Sequence, residues 1–177
     1  MDLKGTKTEQ NLMEAFAGES KARNKYTFFA SKAKEAGYVS LSQIYEETAN
    51  NEKEHAKIWY KFLRGGDISD TVKNLKDCIE NEAYENNTMY PEFARIAEEE
   101  GFKEIAIIFK HVAEIEGLHK KRFQKFLKNI ENNEVFEKEE KILWECTKCG
   151  FHCNSKCAPE KCPVCSHPQA YFKEDEE

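Results

Sequence analysis

From about Thr6 to Glu131 the alternation of apolar and polar positions has helical spacing. It breaks at Gly37, at Gly65-Gly66-Asp67 and at Gly101. The pattern predicts four helices, roughly 8–36, 39–63, 74–100 and 102–130. Each exceeds the ~11–12 residues of a mean globular helix, which favours a helix bundle over a mixed fold. Tight joints within the first pair and within the last pair predict two antiparallel hairpins. Pro91 falls inside the third segment and should kink it or start a new helix. The two halves form a weak repeat: a first helix with an inward Glu, then a second with Glu-x-x-His.

After the last helix the pattern changes. Residues 131–141 are almost all polar or acidic and read as a linker. Residues 142–172 are rich in Cys, Pro and aromatics, and too few to bury a proper core without a metal as staple. The expected division is 1–131 for an all-α four-helix bundle, 132–141 for the linker and 142–177 for a small metal-binding domain.

Composition narrows the classes. The 177 residues are 34% charged and 40% hydrophobic, as suits a helical soluble protein, and the net charge of −6 argues against nucleic acid. No apolar run approaches the ~20 residues that cross a membrane. The polar start, residues 1–10, lacks the apolar stretch of a signal peptide. Of seven cysteines, six lie between Cys146 and Cys165, which argues against a disulfide framework and for metal-bound thiols in a reducing compartment. The expected location is the cytoplasm.

Two Glu-x-x-His motifs, Glu52 to His55 and Glu116 to His119, fall on the second and fourth helices. Residues three apart share a helix face, so each pair can reach one metal site. The first and third helices offer Glu19, set among the apolar Ala15, Phe16 and Ala22, and the pair Glu82 and Glu85. One Glu from each of two helices and a Glu-x-x-His from each of the others is the pattern of ferritin-like di-metal carboxylate proteins. Glu98, Glu99, Glu100 and Glu114 read as solvated helix surface. Tyr26 lies two turns after Glu19 on the same face, and Tyr90 five residues after Glu85 on a less defined one. Each hydroxyl is placed either against a site carboxylate or in the aromatic core.

Cys146-x-x-Cys149-Gly150 and Cys162-Pro163-x-Cys165 form two metal-binding knuckles, whose four sulfurs complete a tetrahedral shell. Gly150 permits the tight turn that aims N–H groups at sulfur. Zinc and iron both accept four thiolates, and spacing alone does not choose. Cys153 and Cys157 fall between the knuckles as surplus thiols, open to ligand competition, disulfide formation or neither. Cys78 reads as a small packing residue.

The segments Ala15-Phe16-Ala17-Gly18-Glu19-Ser20-Lys21-Ala22-Arg23-Asn24, Glu47 to Lys57 and Met89 to Ala97 resemble rubrerythrins, and Trp144, Phe151, Tyr171 and Phe172 around the knuckles resemble rubredoxin. The resemblance implies two irons held by Glu19, Glu52, His55, Glu82, Glu85, Glu116 and His119, and a third iron held by Cys146, Cys149, Cys162 and Cys165. The extra thiols Cys153 and Cys157 depart from the family pattern. Five carboxylates exceed the charge of two ferrous ions and suit the ferric pair, so Glu85 is expected to bind when oxidised and His55 when reduced. The implied activity is a peroxidase that reduces hydrogen peroxide to water. Glu85, His55 and Tyr26 are the candidate catalytic residues, with electrons relayed singly through the four-thiolate iron from rubredoxin or a flavoprotein reductase. The alternatives are a ferroxidase for iron storage and a non-catalytic scaffold with zinc in the tail.

In a ferritin-like bundle the connection from the second helix to the third runs the bundle's length. With those boundaries it must climb about 29 Å, and the ten residues 64–73 span at most about 33–36 Å. That just suffices. A homodimer is expected, and a domain-swapped dimer relieves the strain.

Overall fold

The computed structural model describes residues 2–175. The outer ends of the expected domains, Met1 and residues 176–177, lie outside them. Contacts within the chain divide it between Ser69 and Asp70, not at the helix–tail junction, and each unit is described by itself.

The first unit is a helical hairpin. Helix α1 spans Lys7–Glu35 and α2 spans Val39–Leu63. Thr6 caps α1: its Oγ1 accepts the Glu9 N–H at 3.1 Å, while Glu9 reaches back to the Gly5 N–H at 2.6 Å. Gly37 ends α1 with φ of 84°, a left-handed conformation natural to glycine, and the Tyr38 N–H closes on the Ala33 carbonyl at 2.9 Å. The buried seam is built from small residues: Ala30, Ala33, Ser42, Ala49 and Ala56. These let the two backbones approach closely. Large apolar residues such as Ile44, Ile58 and Phe62 stay exposed. A two-helix layer has no second layer under which to bury them.

The second unit holds the other hairpin and the tail. Helix α3 spans Thr71–Tyr84, a π turn covers Glu85–Met89, α4 spans Tyr90–Glu99 and α5 spans Lys103–Glu131. Here α3 starts earlier than the expected 74, because Asp70 is an N-cap whose Oδ1 accepts the Lys73 N–H at 2.9 Å. A new helix starts at Pro91, one of the two expected outcomes, but it follows a π turn instead of a loop. The Tyr90 N–H bonds the Glu85 carbonyl five residues back, and α4 then begins with Pro91 in its first turn. Proline clashes with the carbonyl four residues earlier, and the widened turn moves that carbonyl aside. Ala94, Ala97, Ala106 and Ala113 are buried in this unit. No described helix is long and apolar enough to cross a membrane.

The tail is a three-stranded antiparallel sheet in the order β2-β1-β3, with β1 at Glu137–Cys146, β2 at His152–Cys157 and β3 at Phe172–Glu174. The stretch read as linker is therefore strand from Glu137 onward. Cys153 and Cys157 lie on β2. Four residues of strand separate them by about 13 Å, too far for the two to bridge. Trp144, Cys146, Ala158, Cys162 and Phe172 form the core. Trp144 is 0% exposed and donates its indole N–H to the Ser155 carbonyl at 3.0 Å. The sheet is tied to α5 through Glu174, which pairs with Lys125 at 2.7 Å and Lys138 at 2.6 Å and accepts from the buried Asn129 at 3.2 Å.

Candidate metal centres

The first hairpin brings Glu19 from α1 together with Glu52 and His55 from α2. Their ligand atoms lie within 4.8 Å of one another. His55 Nδ1 is 2.8 Å from Glu52 Oε2 and 4.0 Å from Glu19 Oε1. The second unit repeats the arrangement with Glu82 from α3 and Glu116 and His119 from α5. His119 Nδ1 is 2.7 Å from Glu116 Oε2 and 3.6 Å from Glu82 Oε2. The weak sequence repeat thus becomes two matched half-sets of two carboxylates and one imidazole.

In the second half-set the donor chemistry points to a cation. Glu82 Oε2 is buried without a hydrogen-bond partner. Burial, then the neighbouring Glu116 carboxyl, push the Glu82 carboxyl up, against a downward pull from His119. Two carboxylates and an imidazole this close suit a cation shared between them. The residues present therefore fit a carboxylate-bridged iron pair.

Glu85 stands outside the tight cluster of Glu82, Glu116 and His119, in the π turn one turn beyond Glu82. Its charge still reaches the site, since it raises the carboxyl of Glu82 and the hydroxyl of Tyr90. Tyr90 is pushed up first by burial, then by Glu85 and Glu116. At α-helical spacing a residue five positions on leaves the face, and the π turn returns it. Pro91 was the sequence signal for that turn. Tyr26 behaves differently: its ring stacks on Tyr45 at 6.3 Å and lies 6.4 Å from Phe29. Its hydroxyl bonds no site carboxylate among the described residues, so within this hairpin it is a packing residue.

In the tail, Cys146, Cys149, Cys162 and Cys165 converge. Cys146 Sγ is 3.7 Å from Cys165 Sγ, and Cys149 Sγ is 3.6 Å from Cys162 Sγ. A metal with ~2.3 Å bonds to four tetrahedral sulfurs sets them about 3.8 Å apart, so the spacing is that of a metal shell. All seven cysteines are free of disulfides. Burial opposes ionisation of Cys162, but the N–H groups of Cys165 and Val164 aimed at its sulfur hold it down to about 6. The Phe151 N–H favours the Cys149 thiolate, yet burial and the other three sulfurs leave it pushed up to about 12. Both knuckles turn through a left-handed residue, Gly150 at φ 72° and Ser166 at φ 61°. Ser166 carries no glycine signal and passes unnoticed in the sequence.

Other candidates resolve as surface chemistry. Glu98 pairs with Lys110 and Glu99 with Arg95. Glu145, His152 and Asp175 also gather, but Lys173 Nζ lies 2.7 Å from Glu145 and His152 Nε2 lies 3.0 Å from Asp175, so each carboxylate already has a partner. His167 sets its ring edge-on to Tyr171 at 4.9 Å.

Comparison with known proteins agrees with this inventory. The Rubrerythrin family model matches residues 10–127, and the model described as Rubrerythrin, rubredoxin-like domain matches 144–173. Rubrerythrin-1 of Clostridium acetobutylicum is 50% identical, over 97% of this chain and 95% of its own. Rubrerythrin of Nitratidesulfovibrio vulgaris is 47% identical, over 97% and 95%. Rubrerythrin of Porphyromonas gingivalis is 47% identical, over 97% and 91%. The fold class is accordingly a ferritin-like helical set with a small rubredoxin-like end, and the cofactors are a carboxylate-bridged iron pair and one four-thiolate iron. With residues 10–127 and 144–173 matched by the two family models and relatives alike over 97% of its length, the chain belongs to the rubrerythrin family.

Proposed function

We propose that this iron-dependent oxidoreductase reduces hydrogen peroxide to water and protects against oxidative stress. The observation that carries the reading is the coexistence of two matched carboxylate–imidazole half-sets with a four-thiolate set on one chain. The balance is one peroxide, two electrons and two protons to two waters. An iron pair held by the half-sets would supply those two electrons together, one from each ion, so that no one-electron product of peroxide would be released. Glu19, Glu52, His55, Glu82, Glu85, Glu116 and His119 would hold the pair, with Glu85 and His55 exchanging places between oxidation states. Glu85 sits in a widened turn and is the first candidate to carry a proton. Tyr90, which feels both Glu85 and Glu116, is the second. Cys146, Cys149, Cys162 and Cys165 would hold the iron that returns electrons singly from rubredoxin or a flavoprotein reductase. The unbridged thiols favour the cytoplasm.

The working unit we propose is a homodimer with exchanged hairpins. Chain length supports it. Helix α2 ends at Leu63, eleven residues past Glu52, and α3 starts at Thr71, eleven before Glu82. Levelling Glu52 with Glu82 in a ferritin-like bundle then requires a climb of about 33 Å. The eight steps from Leu63 to Thr71 span at most about 26–29 Å. A connection that just sufficed with the sequence-derived boundaries falls short with the observed ones. The large exposed residues Ile58 and Phe62, and likewise Ile115 and Leu118, would be covered by the second copy.

Steady-state turnover tests the activity. With a reductase feeding the tail, the iron-loaded protein is expected to consume peroxide in preference to dioxygen, and to lose that activity on Glu85→Ala. Preferential dioxygen uptake with iron accumulation would contradict it.

A further inference from the structure

The π turn that carries Glu85 is pinned to α5 by one side chain. Asn86, the next residue, donates its Nδ2–H to the Ala113 carbonyl at 2.6 Å. That carbonyl also closes the α-helical turn to Gly117, four residues on. Gly117 is where the amide has room. A Cβ there would meet Asn86 Nδ2 at 3.1 Å, Cγ at 3.4 Å and Oδ1 at 3.5 Å. The amide is therefore seated between Ala113 and Gly117, on the turn of α5 that holds Glu116. Gly117 lies inside a long helix, where alanine is favoured by ~1 kcal/mol, so the space it leaves has a packing reason.

We infer that Asn86 is a positioning residue: its seat on Ala113 and Gly117 fixes the π turn against α5 and thereby sets where the Glu85 carboxylate stands relative to Glu82, Glu116 and His119. The inference rests on the proposed role of Glu85 as an iron ligand. A π turn has weaker geometry than an α turn and is a place where a chain changes shape. An anchor one residue from its start leaves the Glu85 side chain free to swing while the backbone holds.

The test compares Asn86→Leu, Asn86→Gln, Gly117→Ala and Glu85→Gln in the full-length, iron-loaded protein. Two readouts are taken: hydrogen exchange of amides 86–90, and the visible circular dichroism of the ferric pair. For Asn86→Leu, exchange is expected to quicken about tenfold, the worth of one hydrogen bond, and the dichroism to move toward that of Glu85→Gln. Gly117→Ala is expected to make the same spectral move with little change in melting temperature, since the ~1 kcal/mol that alanine gains in the helix roughly offsets the bond that its Cβ displaces. Asn86→Gln, which keeps the donor, should fall between. Unchanged exchange in Asn86→Leu would overturn the pin. Faster exchange with a wild-type spectrum would reduce Asn86 to a packing residue and overturn its positioning role. A silent Glu85→Gln spectrum would instead overturn the ligand role of Glu85, and this inference with it.

Discussion

His119 Nδ1 lies 2.7 Å from Glu116 Oε2, one turn apart on α5, and His55 repeats the relationship at 2.8 Å from Glu52 on α2. Each pair is joined by a glutamate from the neighbouring helix of its own hairpin, Glu82 or Glu19. Each hairpin thus presents two carboxylates and an imidazole as a preformed set. Replacing Glu116 by Gln or His119 by Ala removes a donor from one half. Iron bound at the carboxylate site is expected to weaken by at least ~10–100-fold, the loss that even an outer partner causes. The four-thiolate band should be unchanged. Metal analysis beside visible absorption checks both.

The exchanged dimer makes a stoichiometric prediction. One variant carries Glu19→Gln and Glu52→Gln, the other Glu82→Gln and Glu116→Gln. Alone, each should lack the iron pair. After the two are unfolded together and refolded in equal amounts, half of the dimers are mixed, and each mixed dimer restores one of its two sites. About a quarter of the wild-type di-iron signal should return. No recovery would show that each site is built within one chain.

Trp144 is the largest side chain in the core of the tail and is 0% exposed. Trp144→Ala should destabilise that core by about 3–5 kcal/mol. It also frees the Ser155 carbonyl that the indole now satisfies. The ferric-thiolate band should be lost at a distinctly lower temperature, while far-ultraviolet dichroism of the helices melts later. Thermal scans at the two wavelengths measure the difference.

Glu174 ties β3 to α5, and its pKa shift carries a pH dependence. Burial would raise its carboxyl, but the hydrogen bonds from Lys125 and Lys138 outweigh burial and hold it below the ordinary value of 4.5. A depressed carboxyl contributes stability at all pH above 4.5, and that contribution is lost as pH falls through its folded value. The tail should loosen from α5 in that acid window. Glu174→Gln is expected to remove about 1–3 kcal/mol at neutral pH, and with it the acid dependence. Melting temperature against pH for the two proteins reads this directly.

Much of this was legible in the residues. The donors lie in three groups, Glu19 with Glu52 and His55, Glu82 with Glu116 and His119, and the four knuckle cysteines; the Glu-x-x-His pairs and Cys-x-x-Cys turns were readable because they are local geometry. What escaped was set by contacts further away or by weak signals. Residues 137–141 are charged on both faces and show no strand alternation, yet β1 begins there because it pairs back to Cys157. The early start of α3 rests on the single cap Asp70. The π turn has no periodicity of its own. It becomes visible only once Pro91 is asked which carbonyl it would strike.

The central claim is that peroxide is reduced at the iron pair and that the four-thiolate iron returns the electrons. The most direct measurement is an anaerobic single turnover. The fully reduced, iron-loaded protein is mixed with one equivalent of hydrogen peroxide, and the di-ferric and ferric-thiolate bands are followed separately. The account expects rapid appearance of the di-ferric band, then slower oxidation of the thiolate iron, with the peroxide consumed. A slow reaction with peroxide beside rapid dioxygen uptake, or no ferric bands after iron loading, would contradict it.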